Sequence, residues 1–383
     1  MKRFIILLAV CTMILCVSIP ASAAELNVPA KSALLMDIAT GTVLYEQNAH
    51  EKLAPASVTK VMTMLLIMEA IDSGKIGWED TVTVSESAAA KGGSQIYLKV
   101  GETMSVTDML KSVAVSSAND CACALAEHIA GSESAFVAKM NARAQELGMK
   151  DTHFVNCTGL DDDAEAQNHL TSAYDIALMS RELMQKHPAI QKFTTIWMDT
   201  VRNGTFGLSN TNKLVRFYPG ATGLKTGFTS AAGYCLSATA ERNGLGLIAV
   251  VMGAKTSQER FAGCKTMLDY GFANFALIHP EVPKENTVGV KLGTQKTVSA
   301  VPAEDVKFLL DKGQVDQVTT QISLEEIVTA PVSKGQKIGT LTVRVGEQVL
   351  AQVPMVATEA VPRLTWWDLF IQVLQRIAMA KPQ

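Results

Sequence analysis

Three short motifs, Ser57-Val-Thr-Lys60, Ser117-Ala-Asn119 and Lys225-Thr-Gly227, follow one another along the chain. They supply a hydroxyl nucleophile, an amine one helical turn away, a second hydroxyl beside an amide, and a further amine beside a hydroxyl. That is the inventory for attacking a peptide bond that ends in a free carboxylate, through a covalent acyl-enzyme. Each motif is weak alone: about one S-x-x-K is expected by accident in a chain of this length. An ordered trio, each member in a suitable local context, is a far more specific signal.

Ser57 follows Pro55-Ala56 at a predicted helix start, and Lys60 lies one turn on, on the same face. A helix start leaves backbone N–H groups unpaired, that of Ser57 included, and these can receive an oxyanion. A lysine amine near its ordinary pKa of about 10.4 is a poor base at neutral pH. Burial and a second cation would lower it, and Lys225 is the candidate second cation. Alone, the pair also reads as a helix cap and a surface lysine.

Ser117 is placed to relay a proton to the leaving amine. Asn119 offers a donor and an acceptor, enough to orient Lys60 and hold a substrate amide. Alone, this motif also reads as a plain helix–loop cap. Lys225 and Thr226 can hold a terminal carboxylate by charge and hydroxyl. Gly227 lets a substrate backbone come close, and the N–H of Phe228 is the expected second oxyanion donor. The motif is expected to open a strand at a sheet edge, where an extended peptide can pair. Alone, it also reads as an exposed lysine in a turn.

Local patterns supply the elements that must bring these residues together. Ser32 to Met36 and Thr42 to Glu46 read as strands around an Ala39-Thr40-Gly41 turn. A helix starts near Ser57 and is ended by Gly74. Residues 79 to 106 carry short strands and a loop, Lys91-Gly-Gly-Ser-Gln95. Thr107 to Val115 and Cys121 to Ala130 read as helix, interrupted at Ser116 to Asn119. Further helices are expected at Ser134 to Leu147 and Ser172 to Lys186, with ribbon and loop over 191 to 220. Gly233 to Ala240 and Leu245 to Gly253 read as a hairpin joined through Arg242-Asn243-Gly244, followed by a helix from Gln258 to Phe275. The fold class is α+β: an antiparallel sheet built from both ends of this region, with a helical cluster beside it.

Residues 1–23 read as a signal peptide. Lys2 and Arg3 precede an apolar run from Ile5 to Ile19, and Ala21-Ser-Ala23 is a small-x-small cleavage site. Its removal would take the net charge from −3 to about −5, a poor match for nucleic acid. Residues 24–278 form the expected catalytic domain. Past Pro280 and Pro283 the sequence becomes rich in Val and Thr, and 283–360 reads as a small β-sandwich. Residues 361–383 read as an amphipathic helix. Trp366, Trp367, Leu369, Phe370, Ile371, Val373, Leu374 and Ile377 make its broad apolar face, suited to lying in a membrane surface. Cys121, Cys123, Cys157, Cys235 and Cys264 are too few for a disulfide framework and are expected as buried free thiols. The scattered histidines form no ligand cluster, so no catalytic metal or cofactor is expected.

At the three motifs the chain resembles the low-molecular-mass penicillin-binding proteins, the serine D-alanyl-D-alanine carboxypeptidases of peptidase family S11. The S-x-x-K, S-x-N and K-T-G set is a known signature of these enzymes and of serine β-lactamases. Lys91-Gly-Gly-Ser-Gln-Ile-Tyr-Leu98, Asp120, His153-Phe154, Gly159-Leu160, Thr171-Ser-Ala-Tyr-Asp175, Asn210-Thr-Asn212, Gly223-Leu224, Phe228-Thr229 and Ala232-Gly-Tyr234 are similar to the same family. The resemblance implies that Ser57 is the acylated nucleophile, Lys60 its base, Ser117 and Asn119 the second element, and Lys225 and Thr226 the carboxylate anchor. It implies a five-stranded sheet with the site between sheet and helices. It implies a substrate, a peptidoglycan stem ending in D-Ala-D-Ala, and β-lactams as covalent inhibitors. The place of action is then the outer face of the cytoplasmic membrane, with peripheral anchoring. Ala118 stands where many relatives carry Gly, and Phe228 where others carry His. The alternatives are a D,D-endopeptidase, a β-lactamase (the E-x-x-L-N element is missing between Gly159 and Thr171), and a non-catalytic wall-binding or β-lactam-sensing protein.

Overall fold

The computed structural model describes residues 26–162, 164–283 and 286–379. The expected signal segment and the last four residues lie outside them.

The main sheet is five-stranded and antiparallel, in the order Val43–Gln47, Ser32–Asp37, Leu245–Ala254, Gly233–Arg242, Ala221–Thr229. Both ends of this part of the chain build it, as the pattern predicts. Alternation divides its side chains between two cores. Leu34, Met36, Ile248, Val250 and Met252 face the helical cluster. Ala33, Leu35, Leu247, Ala249 and Val251 face the other way, onto the helix Ser257–Asn274. Leu245–Ala254 is therefore buried on both faces, which is why it reads as an unbroken apolar run. Asn243 and Gly244 both have positive φ, 51° and 79°, as a two-residue hairpin turn requires.

The helix Lys60–Asp72 runs through the middle of the cluster. Val61, Met62, Met64, Leu65, Ile67 and Met68 are all inaccessible. A helix apolar all round must be enclosed, and this one is. It ends at Gly74, whose φ of 71° carries the left-handed exit. Around it pack Val106–Ser116, Asn119–Ala130, Glu133–Glu146 and Ala173–Lys186. Ser105, Ser132 and Ser172 cap three of these by accepting a hydrogen bond from the N–H three residues on.

The strand carrying the third motif differs from expectation. It begins at Ala221, and Lys225-Thr226-Gly227 lies at its middle, paired along its length with Gly233–Arg242. Its place at the sheet edge is as expected. Residues 191–220 hold a hairpin, Met198–Val201 with Phe206–Ser209, and two single-turn helices, Gln191–Thr194 and Leu214–Phe217. Helices that short leave no periodic signal to read.

Beyond the long helix, Phe275–Ile278 pairs with Phe308–Asp311. A six-stranded sheet follows, in the order Val318–Leu324, Lys337–Val345, Gln348–Ala357, Thr297–Pro302, Thr287–Lys291, Ile327–Thr329. Thr297–Ser299 pairs on one side and Ala300–Pro302 on the other, so the sheet turns over within one strand. Both parts share a single core that includes Val288, Val298, Ile338, Leu341, Val343 and Met355. The described residues end in the helix Trp366–Met379. No described helix is long and apolar enough to cross a membrane.

Candidate active site

Ser57 lies in a turn of 3-10 helix, Ala56–Thr59, that leads directly into Lys60–Asp72. Ala56 takes a left-handed φ of 47°, an unfavourable backbone state for a residue with a side chain. Three contacts hold it there. Thr59 Oγ1 donates to the Ala56 carbonyl at 2.8 Å, and His169 Nε2 lies 2.8 Å from the same Thr59 oxygen. His169 Nδ1 accepts the N–H of Val155, so the ring proton sits on Nε2 and points at Thr59. Burial first, then His153 and Lys60, push His169 down to about 4, which keeps the ring neutral. Gly159 presses on the same carbonyl, and a Cβ there would fall 1.8 Å from the Ala56 oxygen.

Lys60 is fully buried. Its Nζ donates to Ser57 Oγ at 3.0 Å and to the Thr158 carbonyl at 2.8 Å. Asn156 shapes the turn that presents this carbonyl, its Oδ1 accepting from the N–H groups of Thr158 and Gly159. Burial lowers the Lys60 amine to about 7, against a smaller opposing pull from Cys157 and Asp120. Desolvation, rather than Lys225, therefore leads the shift. Once neutral, the amine accepts the Ser57 O–H across the same contact.

The second motif closes the helix Val106–Ser116 and opens the next. Ser117 has a left-handed φ of 64°. Its Oγ and Asn119 Oδ1 are buried without a hydrogen-bond partner among the described residues. Asn119 Nδ2 donates to the Gly92 carbonyl at 2.7 Å, and its backbone N–H to Ser94. Asp120 accepts from the N–H groups of Ile96 and Leu98. These bonds hang the whole 91–98 loop on the motif.

Lys225 is buried too, with Nζ donating to the Thr226 carbonyl at 2.9 Å. Burial, then Lys60, then Arg260, push its amine well below the usual lysine value. Thr226 Oγ1 donates to Thr211. Arg260, from the helix behind the sheet, donates to the Gly227 carbonyl at 2.9 Å. Gly227 itself touches the Ser57 turn. Phe228 is half exposed, its ring 4.3 Å from that of Tyr234.

The first and third motifs thus meet at one place, and Asp120 brings the second within electrostatic reach of Lys60. Thr59, Thr158, His169 and Arg260 were not singled out by sequence reasoning. Thr59, Thr158 and Arg260 act through backbone carbonyls, and His169 is a lone histidine in a loop, so none carries a mark of its own in the sequence.

Residues 19–256 match the family model described as D-alanyl-D-alanine carboxypeptidase, and residues 279–363 the penicillin-binding protein 5 C-terminal domain. The chain is 47% identical over 342 residues to the D-alanyl-D-alanine carboxypeptidase DacF of Bacillus subtilis, covering 88% of this chain and 86% of that one. Its fold is similar to penicillin-binding protein 5 from Haemophilus influenzae, with a TM-score of 0.72 and 32% identity, covering 88% of this chain and 98% of that one. It is also similar to penicillin-binding protein D2 from Listeria monocytogenes in its ampicillin-bound form, with a TM-score of 0.59 and 33% identity, covering 65% and 99%. By sequence and fold alike, this chain belongs to the D-alanyl-D-alanine carboxypeptidases of peptidase family S11.

Proposed function

We propose that the chain is a serine D,D-carboxypeptidase that removes the terminal D-Ala from peptidoglycan stems and is acylated by β-lactams at Ser57. The observation that carries this reading is the 3.0 Å contact between Ser57 Oγ and a Lys60 amine lowered to about 7. Lys60 takes the Ser57 proton as Oγ attacks the penultimate D-Ala carbonyl. The N–H groups of Ser57 and Phe228 receive the oxyanion. Ser117 passes a proton to the leaving nitrogen, the C–N bond breaks, and D-Ala departs. Water then hydrolyses the ester and returns the enzyme. The partnerless Ser117 Oγ and Asn119 Oδ1 support these roles, since a bound peptide supplies what they lack.

Lys225 and Thr226 hold the substrate carboxylate, with Gly227 admitting its backbone. An arriving anion offsets the cost of a buried cation, so Lys225 takes up a proton as substrate binds. That new charge, close to Lys60, helps to keep the base neutral.

Incubation with benzylpenicillin followed by intact-mass measurement tests the assignment. One adduct is expected, absent from Ser57→Ala. An adduct that persists in that variant removes Ser57 from the role. Release of free D-Ala from diacetyl-L-Lys-D-Ala-D-Ala tests the reaction itself.

In this reading residues 24–278 carry out catalysis, 283–360 act as a spacer, and 361–383 attach the chain. Trp366, Trp367, Phe370 and Ile371 are all exposed, which supports peripheral attachment of the last helix to the outer face of the cytoplasmic membrane.

A further inference from the structure

Behind the Lys60 turn lies a cluster that the proposed chemistry does not use. Cys123 and Cys157 are wholly buried free thiols, and Glu133 is only partly exposed. One ligand atom from each lies within 4.8 Å of the others. Cys157 Sγ is 3.2 Å from Glu133 Oε1, and Cys123 Sγ is 3.8 Å from Glu133 Oε2. The carboxylate is further fixed by Lys91 at 2.6 Å and by the Cys157 N–H at 3.1 Å.

We propose that Cys123, Cys157 and Glu133 form a binding site for one thiophilic divalent cation, zinc in the first instance. Two thiolates and a carboxylate suit zinc and not magnesium or calcium. With Zn–S at about 2.3 Å and Zn–O at about 2.0 Å, the sulfur–oxygen edges of a zinc tetrahedron measure about 3.5 Å. The observed distances run to different oxygens, Cys157 Sγ to Oε1 and Cys123 Sγ to Oε2, so a small turn of the carboxylate places one oxygen between the two sulfurs at that spacing.

Charge supports the same reading. Cys123, Cys157, Glu133 and Lys91 together hold one carboxylate and one ammonium, so they are neutral while both thiols keep their protons. Entry of one dication with loss of two thiol protons leaves that sum at zero, with the Glu127 carboxylate beside Cys123 in addition. The hydrogen bonds from Lys91 and the Cys157 N–H fix the carboxylate as outer-sphere partners of a metal ligand do. Lys91 and Glu133 are partly exposed and give the ion a way in. Glu127 Oε1 lies 3.8 Å from Cys123 Sγ, on the side of that thiol alone.

The three ligands come from the helix Asn119–Ala130, the start of Glu133–Glu146, and the turn whose next carbonyl, that of Thr158, holds Lys60. A bound ion would tie the second motif's helix to the support of the base. The site is structural and separate from bond cleavage at Ser57.

Reduced, metal-free full chain, with Cys11→Ser and Cys16→Ser to remove competing thiols, is titrated with cobalt(II) and then with zinc(II). One equivalent of cobalt is expected, with tetrahedral visible bands and sulfur-to-cobalt charge transfer, displaced by zinc. Zinc should also raise the melting temperature. The spectrum should vanish in Cys123→Ser/Cys157→Ser and persist in Cys264→Ser, whose thiol lies in the other core. Glu133→Gln should weaken binding by about tenfold or more. X-ray absorption of the zinc form needs no variant of these ligands and should show two sulfur neighbours. A shell of only oxygen and nitrogen, no stoichiometric uptake, or uptake unchanged in the double variant overturns the proposal.

Discussion

Gly227 lies against the backbone of Ser57: a Cβ added to Gly227 would come 3.0 Å from the Ser57 nitrogen and 2.7 Å from the Pro55 carbonyl oxygen. The neighbours are main-chain atoms, which cannot swing aside as a side chain would. The edge strand and the Ser57 turn are thus set at a distance that only glycine permits. One proposed oxyanion donor, the Ser57 N–H, belongs to that contact, and the other, the Phe228 N–H, follows Gly227 directly in the chain.

Gly227→Ala should force the strand and the Ser57 turn apart. Overpacking of this kind costs about 1–3 kcal/mol of stability. Catalysis should suffer more, because a misplacement of about 1 Å costs about 100-fold in rate. Stopped-flow acylation by a chromogenic cephalosporin, beside a thermal melt, separates the two effects. Acylation at the parent rate would show that the contact does not set the oxyanion geometry.

The rate of acylation should follow the neutral fraction of Lys60. Its amine is lowered to about 7, so below that pH each unit of acidity should cost close to tenfold, and above it the rate should level off. Lys60→Arg keeps a permanent cation and should lose the rate by about 100- to 10,000-fold. A profile that is flat between pH 5 and 8 would exclude Lys60 as the base.

The same amine should make the fold less stable. Its pKa is depressed on folding, so the unfolded chain binds the extra proton between about 7 and the ordinary lysine value of 10.5. The penalty is fully present below 7 and disappears above 10.5. Lys60→Met should therefore melt higher than the parent, with the largest gain at acidic pH and little left near pH 10. A gain that grows with pH would have the wrong sign.

What the sequence disclosed and what it withheld divide along physical lines. Serine caps, the Asn243-Gly244 hairpin and the unbroken apolar run of Leu245–Ala254 each leave a local imprint, so the sheet and most helices were legible. The trio was legible because its chemistry needs particular side chains. The carbonyl of Thr158, which any residue could have supplied, leaves no such mark. His169 and Arg260 reach the site across 110 and 33 residues to steady backbone around Ser57 and Gly227. The mid-strand position of Lys225 was hidden because Gly220, Gly223 and Gly227 weaken the strand pattern where pairing with Gly233–Arg242 supplies the order.

Ser117 combines a left-handed φ of 64° with a buried hydroxyl that lacks a partner among the described residues. The backbone state costs about 1–2 kcal/mol for a residue with a Cβ, and the unpaired hydroxyl about 1–3 kcal/mol. Ser117→Gly removes both, so the variant should melt higher while its D-Ala release falls by about 100- to 10,000-fold through loss of the proposed proton relay. The fall should be in kcat, with KM little changed. A variant that is both destabilised and active would show that Ser117 serves the fold.

The terminal helix tests whether exposed apolar surface here means attachment. Trp366 and Trp367 are 66% and 65% exposed, and Phe370, Ile371, Val373 and Leu374 stay open beside them. Trp366 stacks on Phe370 with centroids 5.4 Å apart, so the face is ordered along its own axis instead of folded onto the β domain. Ordered aromatic surface of this extent is costly in water and suits the bilayer interface, where tryptophan is favoured. Removal of residues 361–383 should abolish co-sedimentation with phosphatidylglycerol vesicles and leave cleavage of a soluble tripeptide unchanged. Trp366→Ser/Trp367→Ser should weaken vesicle binding with the helix still in place. High salt should weaken it only in part, because buried apolar area rather than charge provides most of the affinity. A truncated chain that still sediments with the vesicles would place the attachment elsewhere in the molecule.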